Sequence, residues 1–226
     1  MDAEPVTIAL PGGETVSGLW LAPPAARACL ALAHGAGVGM RHRSMSLLAE
    51  GLAERGVASL RYQFPYMEKG ARRVDPPAVA QRTVRAAVAE AARRGHPLPL
   101  FAGGRSFGGR MTSQAQASAP LGALGLIFFA FPLHPAGRPS DERAAHLKDV
   151  GVPMLFLQGT SDALADLGLL KQTVAGLGAR AKLELTEGAD HSFHVPARSG
   201  RTDAEVLGDL LDRAAAWMTQ LRPGEK

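Results

Sequence analysis

Residues 103–110 read Gly-Gly-Arg-Ser-Phe-Gly-Gly-Arg and follow directly on the apolar run Leu98-Pro99-Leu100-Phe101-Ala102. Within them, Gly104-Arg105-Ser106-Phe107-Gly108 matches the pattern G-x-S-x-G. A serine hydroxyl is a poor nucleophile until the backbone presents it to a base and to donors that hold an oxyanion. A sharp turn from strand to helix does this, and small residues on either side of the serine let strand and helix approach their neighbours closely. Three fixed positions in five recur by chance in a chain with 26 glycines. The weight of the pattern therefore rests on its placement, with a strand before it and a helix after it.

A nucleophilic serine needs a base, and the base needs a carboxylate to orient it. Of seven histidines, only His191 and His194 follow the last predicted strand, in Glu187-Gly188-Ala189-Asp190-His191-Ser192-Phe193-His194. His191 comes first after the Gly-Ala-Asp turn and is the expected base; His194 is the alternate. Asp162 follows a predicted strand at 153–157 through Gln158-Gly159-Thr160-Ser161 and is the expected orienting carboxylate. Asp166, one helical turn on, is the runner-up, with a solvated helix position as its plain reading. Asp190 reads as a turn-former, because adjacent side chains diverge. The order Ser106, Asp162, His191 is one that strand-borne triads of this type follow.

The intermediate of such a reaction needs hydrogen-bond donors. The Phe107 N–H, at the start of the helix after the turn, is one candidate, favoured by the helix dipole. The other lies in His34-Gly35-Ala36-Gly37-Val38-Gly39, after an apolar run at 28–33. Ala36 N–H is the expected donor and Gly37 the alternate; a plain glycine turn is the competing reading. His34 is expected to shape this loop and to take no part in proton transfer.

These groups need a scaffold, and hydrophobic periodicity supplies one. Two short strands at 6–10 and 15–21 flank Pro11-Gly12-Gly13-Glu14, a hairpin signal. Strands then follow at 28–33, 57–64, 98–102, 124–131, 153–157 and 181–186. Helices are expected at 45–55, 76–94, 106–119, 140–150, 164–177 and 202–221. The 140–150 helix has Ser140 as its cap, and the last begins with a capping-box pattern, Thr202-Asp203-Ala204-Glu205. Strand–helix alternation predicts an α/β fold with a parallel sheet and helices on both faces. The irregular stretches 35–43, 64–75, 132–139 and 187–201 fall after strands, so they should surround one site at the carboxyl edge of the sheet.

The 226 residues suffice for one domain spanning 1–226, with no break or repeat. The 46% hydrophobic and 20% charged content is that of a globular chain, and no apolar run reaches membrane-spanning length. The net charge of +4 is spread over short arginine pairs, and aromatics make up only 5%, so no nucleic-acid surface is indicated. One cysteine, Cys29, excludes an internal disulfide and reads as a core residue. With no signal-peptide pattern, a cytoplasmic location is expected. Asp190, His191 and His194 are metal-ligand types, but no H-E-x-x-H or comparable cluster accompanies them. Oligomeric state is not encoded in any of these patterns.

Together, His-Gly-Ala-Gly, Arg61-Tyr62-Gln63-Phe64-Pro65-Tyr66, the Ser106 turn and Gly-Ala-Asp-His-Ser-Phe resemble the α/β-hydrolase superfamily over nearly the whole chain. The narrower resemblance is to small capless hydrolases related to dienelactone hydrolase, grouped with the testis-expressed and histone-acetyltransferase-complex-subunit hydrolase-like proteins. It implies about eight mostly parallel strands with an antiparallel N-terminal hairpin, no cap domain, no cofactor, and hydrolysis of an ester or other acyl bond. Carboxylesterase, thioesterase and peptidase share this machinery. Dienelactone hydrolases use a cysteine where this chain has Ser106, which separates it from their lactone chemistry. A non-catalytic scaffold of the same fold is the alternative, and a Ser, Asp and His kept in register argue against it. A small-molecule acyl substrate is expected. Arg105 beside the serine suggests an anionic one, against the plainer reading of a loop brace. Phe64 and Tyr66 are expected pocket-wall residues.

Overall fold

The structure is a computed structural model that describes residues 1–221. Its strands are β1 (Glu4–Ala9), β2 (Thr15–Leu21), β3 (Ala28–Ala33), β4 (Val57–Tyr62), β5 (Leu100–Arg105), β6 (Leu126–Phe129), β7 (Met154–Gly159) and β8 (Ala181–Thr186). Its α-helices are α1 (Arg43–Glu54), α2 (Pro65–Glu68), α3 (Pro77–Gly95), α4 (Phe107–Ser118), α5 (Leu167–Gly176) and α6 (Asp203–Gln220). The strands form one sheet in the order β1-β2-β4-β3-β5-β6-β7-β8. β2 pairs antiparallel with β1 and β4, and every pairing from β4 to β8 is parallel.

Parallel strands covered on both faces must be apolar on both faces. β3, Ala-Cys-Leu-Ala-Leu-Ala, meets this requirement, with all six residues buried. Its Leu30 and Leu32 face one layer with Met45 and Leu52 of α1 and Val206 and Leu210 of α6. Its Cys29, Ala31 and Ala33 face the other layer with Val84 and Ala87 of α3, Met111 of α4 and Leu170 of α5. Each large aliphatic or aromatic side chain withdrawn from water here contributes roughly 1.5–3 kcal/mol. Cys29 packs among them as a small hydrophobe, and burial pushes its thiol up to about 12.

Several boundaries differ from the sequence pattern for identifiable reasons. β4 stops at Tyr62 because Pro65 opens the single turn α2 and holds Phe64 extended. β5 continues to Arg105, since Gly103 and Gly104 still pair with β6. A Cβ at Gly103 would stand 2.0 Å from Ile127 O, and one at Gly104 2.5 Å from Ala33 O, so only glycine lets three strands close up here. α5 begins at Leu167, not 164, because the Asp166 carboxylate accepts from Leu169 N–H at 2.9 Å and caps the helix there. Glu142–Asp149 forms 3-10 turns rather than an α-helix, and Ser140 Oγ bonds Glu142 N–H before it. The capping box on α6 forms as expected between Thr202 and Glu205.

Candidate active site

Ser106 joins β5 to α4 with φ 50° and ψ −118°, a left-handed conformation that costs a β-carbon residue roughly 1–3 kcal/mol. Two features hold it there. Its N–H donates to Phe129 O of β6 at 2.9 Å. Gly108, two residues on, lies so close to β3 that a Cβ would stand 2.5 Å from His34 O. The strain tips the hydroxyl out of the turn, toward the loop that follows β8.

There, His191 Nε2 lies 2.8 Å from Ser106 Oγ, and His191 Nδ1 lies 2.7 Å from Asp162 Oδ2. A carboxylate only accepts, so Nδ1 carries the imidazole proton and Nε2 is free to take one from the serine. The Asp162 side chain is fully buried while His191 is partly open to solvent. Asp162 Oδ1 accepts from Leu164 N–H at 2.8 Å, and Oδ2 also accepts from Gln158 Nε2 at 2.5 Å. The two loops can meet because a Cβ at Gly159 would stand 2.1 Å from Ala189 O. Gln158 is the residue that sequence reasoning passed over. Its signal was a polar side chain ending the otherwise apolar strand Met-Leu-Phe-Leu-Gln-Gly.

The alternates lie elsewhere. His194 is exposed and bonds Asp203 at 2.9 Å. Asp166 is occupied as the α5 cap. The Asp190 carboxylate accepts from Ser192 and His194 N–H, which makes the turn that presents His191. Among the described residues, no group of three or more His, Cys, Asp or Glu is placed to hold a metal ion, and no helix is long and apolar enough to cross a membrane.

The loop after β3 runs alongside the serine. A Cβ built on Gly35 would lie 3.6 Å from both Ser106 Cβ and Arg105 O. Three side chains pin the loop. Gln63 Oε1 accepts from Met40 N–H at 2.9 Å, Arg61 donates to Met40 O at 3.4 Å, and His34 Nε2 accepts from Phe64 N–H at 3.1 Å. His34 Nδ1–H donates to Gly35 O at 2.8 Å, which fixes its neutral tautomer. Among the described residues, neither Ala36 N–H nor Phe107 N–H has a protein acceptor. Gly37 at φ 75° turns the loop just beyond Ala36.

Burial holds His34 down at about 4, and burial with the nearby Arg110 guanidinium does the same for His146. In the unfolded chain both titrate near 6.5. As pH falls from 6.5 toward 4, the unfolded chain takes up protons that the folded chain refuses. Stability is therefore lost in that window, by an amount of order 3 kcal/mol for the fully buried His34. Urea midpoints measured from pH 7 to pH 4 should fall most steeply below 6.5, and the fall should be shallower in His146→Gln.

Arg105 turns away from a solvent position. It donates to Ser44 Oγ of α1 at 2.7 Å and to Ser192 Oγ at 3.1 Å, so it ties α1 to the loop bearing His191. Burial lowers its pKa, and the Asp190 and Asp162 carboxylates oppose that shift. A groove of about 690 Å³ lies behind this brace, between α1 and α6, and its walls include Arg105 and Ser192 but neither Ser106 nor His191. Phe64 is wholly buried, packed edge-on against His34 and Phe107 with centroids 4.9 and 5.3 Å apart. Its ring underlies the site and does not line it. Tyr66 stands edge-on to Phe107, with its Oη buried, close to the Gly37 backbone but without a hydrogen-bond partner.

Residues 26–219 match a family model described as an alpha/beta hydrolase domain. The chain belongs to the alpha/beta hydrolase family. This hydrolase has the fold of a lidless serine hydrolase from Xanthomonas campestris, at 22% identity and a TM-score of 0.74, covering 100% of this chain and 98% of that one. A dienelactone hydrolase from Anabaena variabilis matches at 20% identity and a TM-score of 0.75, covering 97% of each chain. A Thermus thermophilus structure matches at 22% identity and a TM-score of 0.70 over 100% of both chains. Like the lidless relative, the hydrolase has no inserted domain over its carboxyl sheet edge among the described residues.

Proposed function

We infer that this hydrolase cleaves an ester or related acyl bond through Ser106, His191 and Asp162. The observation that carries the reading is the continuous bond chain from Ser106 Oγ through His191 to Asp162, at 2.8 and 2.7 Å, with the serine in a left-handed turn. Ser106 Oγ attacks the carbonyl carbon while His191 Nε2 takes its proton. The oxyanion accepts from Phe107 N–H and Ala36 N–H, each worth roughly 3–4 kcal/mol in the transition state. His191 then gives the proton to the departing alcohol. Water, deprotonated by the same nitrogen, attacks the acyl-serine and releases the acid. Asp162 holds the imidazole tautomer throughout. Tyr66, whose Oη is buried beside the Gly37 backbone, supports the loop that carries Ala36 rather than touching the acyl group. The substrate is a small acyl compound, and carboxylester hydrolysis is the form of the reaction proposed. The cytoplasm is its proposed compartment, in keeping with a single buried cysteine.

A fluorophosphonate probe tests the reading apart from substrate choice, since it reacts only with an activated serine. Wild-type protein should label and Ser106→Ala should not. A folded wild-type protein that resists the probe sinks the enzyme reading in favour of a scaffold.

A further inference from the structure

β7 reads Met-Leu-Phe-Leu-Gln-Gly, and every residue of it is buried. Side chains alternate along a strand, so Gln158 issues on the face of Met154 and Phe156, which belong to the apolar layer with Phe128 and Leu170. An apolar side chain would complete that pattern and leave no polar atom in it. Gln158 is instead wholly buried, and among the described residues its Oε1 has no hydrogen-bond partner. A buried oxygen left unsatisfied lowers stability. What the amide gains lies at its other end, where Nε2 donates to Asp162 Oδ2 at 2.5 Å. The reverse orientation would set the amide oxygen against the carboxylate, acceptor against acceptor.

Oδ2 is also the oxygen that holds His191 Nδ1, at 2.7 Å. One atom therefore serves two donors, and the Gln158 amide points the positive end of its dipole at the pair. Such a dipole works against a further positive charge, the imidazolium that forms when His191 takes the Ser106 proton. The alcohol must then leave with a proton from the same nitrogen, so an imidazolium held too tightly slows that half of the reaction. The bond also fixes the carboxylate. With Leu164 N–H on Oδ1 and Gln158 Nε2 on Oδ2, Asp162 cannot rotate without breaking both. We propose that Gln158 is a positioning residue of this site: it locks the Asp162 carboxylate and keeps His191 a base weak enough to give its proton back. The proposal rests on the reading of Ser106, His191 and Asp162 as the reacting chain and adds a fourth member behind it. Other charged groups near the pair stay in place when Gln158 is replaced: Arg105, bonded to Ser192 beside His191, and Asp190, which forms the turn.

The test replaces Gln158 with Met, which keeps the length and loses the donor, and with Glu, which keeps the shape and adds negative charge. With p-nitrophenyl acetate, Gln158→Met should lower kcat about tenfold and leave KM unchanged, and the acid limb of kcat/KM should move up by roughly one pH unit, the worth of a hydrogen bond to a charged group. Gln158→Glu should move the limb further, because a second carboxylate favours the imidazolium more strongly. A packing role alone would leave the limb where wild type has it. Coincident limbs in wild type and both variants, with melts that show all three folded, overturn the proposal, while Ser106-dependent cleavage leaves the hydrolase reading standing. Wild-type protein gives a second measurement that needs no variant. With nitrogen-15 in its glutamines, the Gln158 side-chain amide signal should shift with pH in step with the His191 ring signals. That shift supports the proposal even if no ester is cleaved and the hydrolase reading falls, and an amide signal that stays still while His191 titrates overturns it.

Discussion

Ser106→Ala should cut kcat for a p-nitrophenyl ester by about a millionfold, the loss seen when a serine nucleophile of this kind is removed. Only Oγ is lost. The Ser106 N–H bond to Phe129 O and the Gly108 contact with β3 do not involve it, so the turn should keep its shape. Alanine carries the same strain at φ 50° as serine does, and the melting temperature should change little. Residual turnover should remain above the rate in water, because the Phe107 and Ala36 N–H groups still meet the oxyanion. Steady-state kinetics alongside a circular-dichroism melt make the check. Near-normal hydrolysis by a cleanly folded mutant would falsify the assignment of Ser106.

Asp162→Asn should lower kcat by about ten-thousandfold, for a reason visible in its hydrogen bonds. Oδ1 accepts from Leu164 N–H, so an asparagine at this position would keep its oxygen there. Its NH2 group would then occupy the place of Oδ2, facing His191 Nδ1 and Gln158 Nε2. Donor would meet donor at Gln158, whose amide can rotate to offer Oε1 instead. The imidazole has only one way to comply: Nδ1 accepts and the proton moves to Nε2. A protonated Nε2 cannot take the Ser106 proton. KM should change far less than kcat, since Asp162 is buried behind His191. A drop below tenfold, measured with the fold intact, would remove Asp162 from the mechanism.

Much of this architecture is written in local sequence. The all-apolar β3, the proline that opens α2, the capping box on α6 and the glycines around Ser106 each act through neighbouring residues. Ser106, Asp162 and His191 could be named together because each follows a strand, and parallel strands deliver such residues to one edge. What was not legible depends on distant partners. The position of β4 between β2 and β3 is set by pairing across the sheet, not by its own six residues. Gln158 reads as an oddity in a strand until Asp162 folds back over it. Arg105 beside the serine suggested substrate contact, yet its hydrogen bonds run to Ser44 and Ser192, 61 and 87 residues away.

The order of strands also divides the candidate site between the middle of the sheet and its rim. Ser106 and its flanking donors belong to β3 and β5, deep in the middle of the sheet, whereas His191 hangs from β8, the outermost strand. β8 is only half covered along most of its length. The serine therefore stands on well-covered ground, while the histidine that it bonds stands on a margin. This asymmetry matters under stress. Fraying at that margin disarms the protein while its centre is still folded, so loss of turnover should register damage that a bulk measure of folding does not yet see.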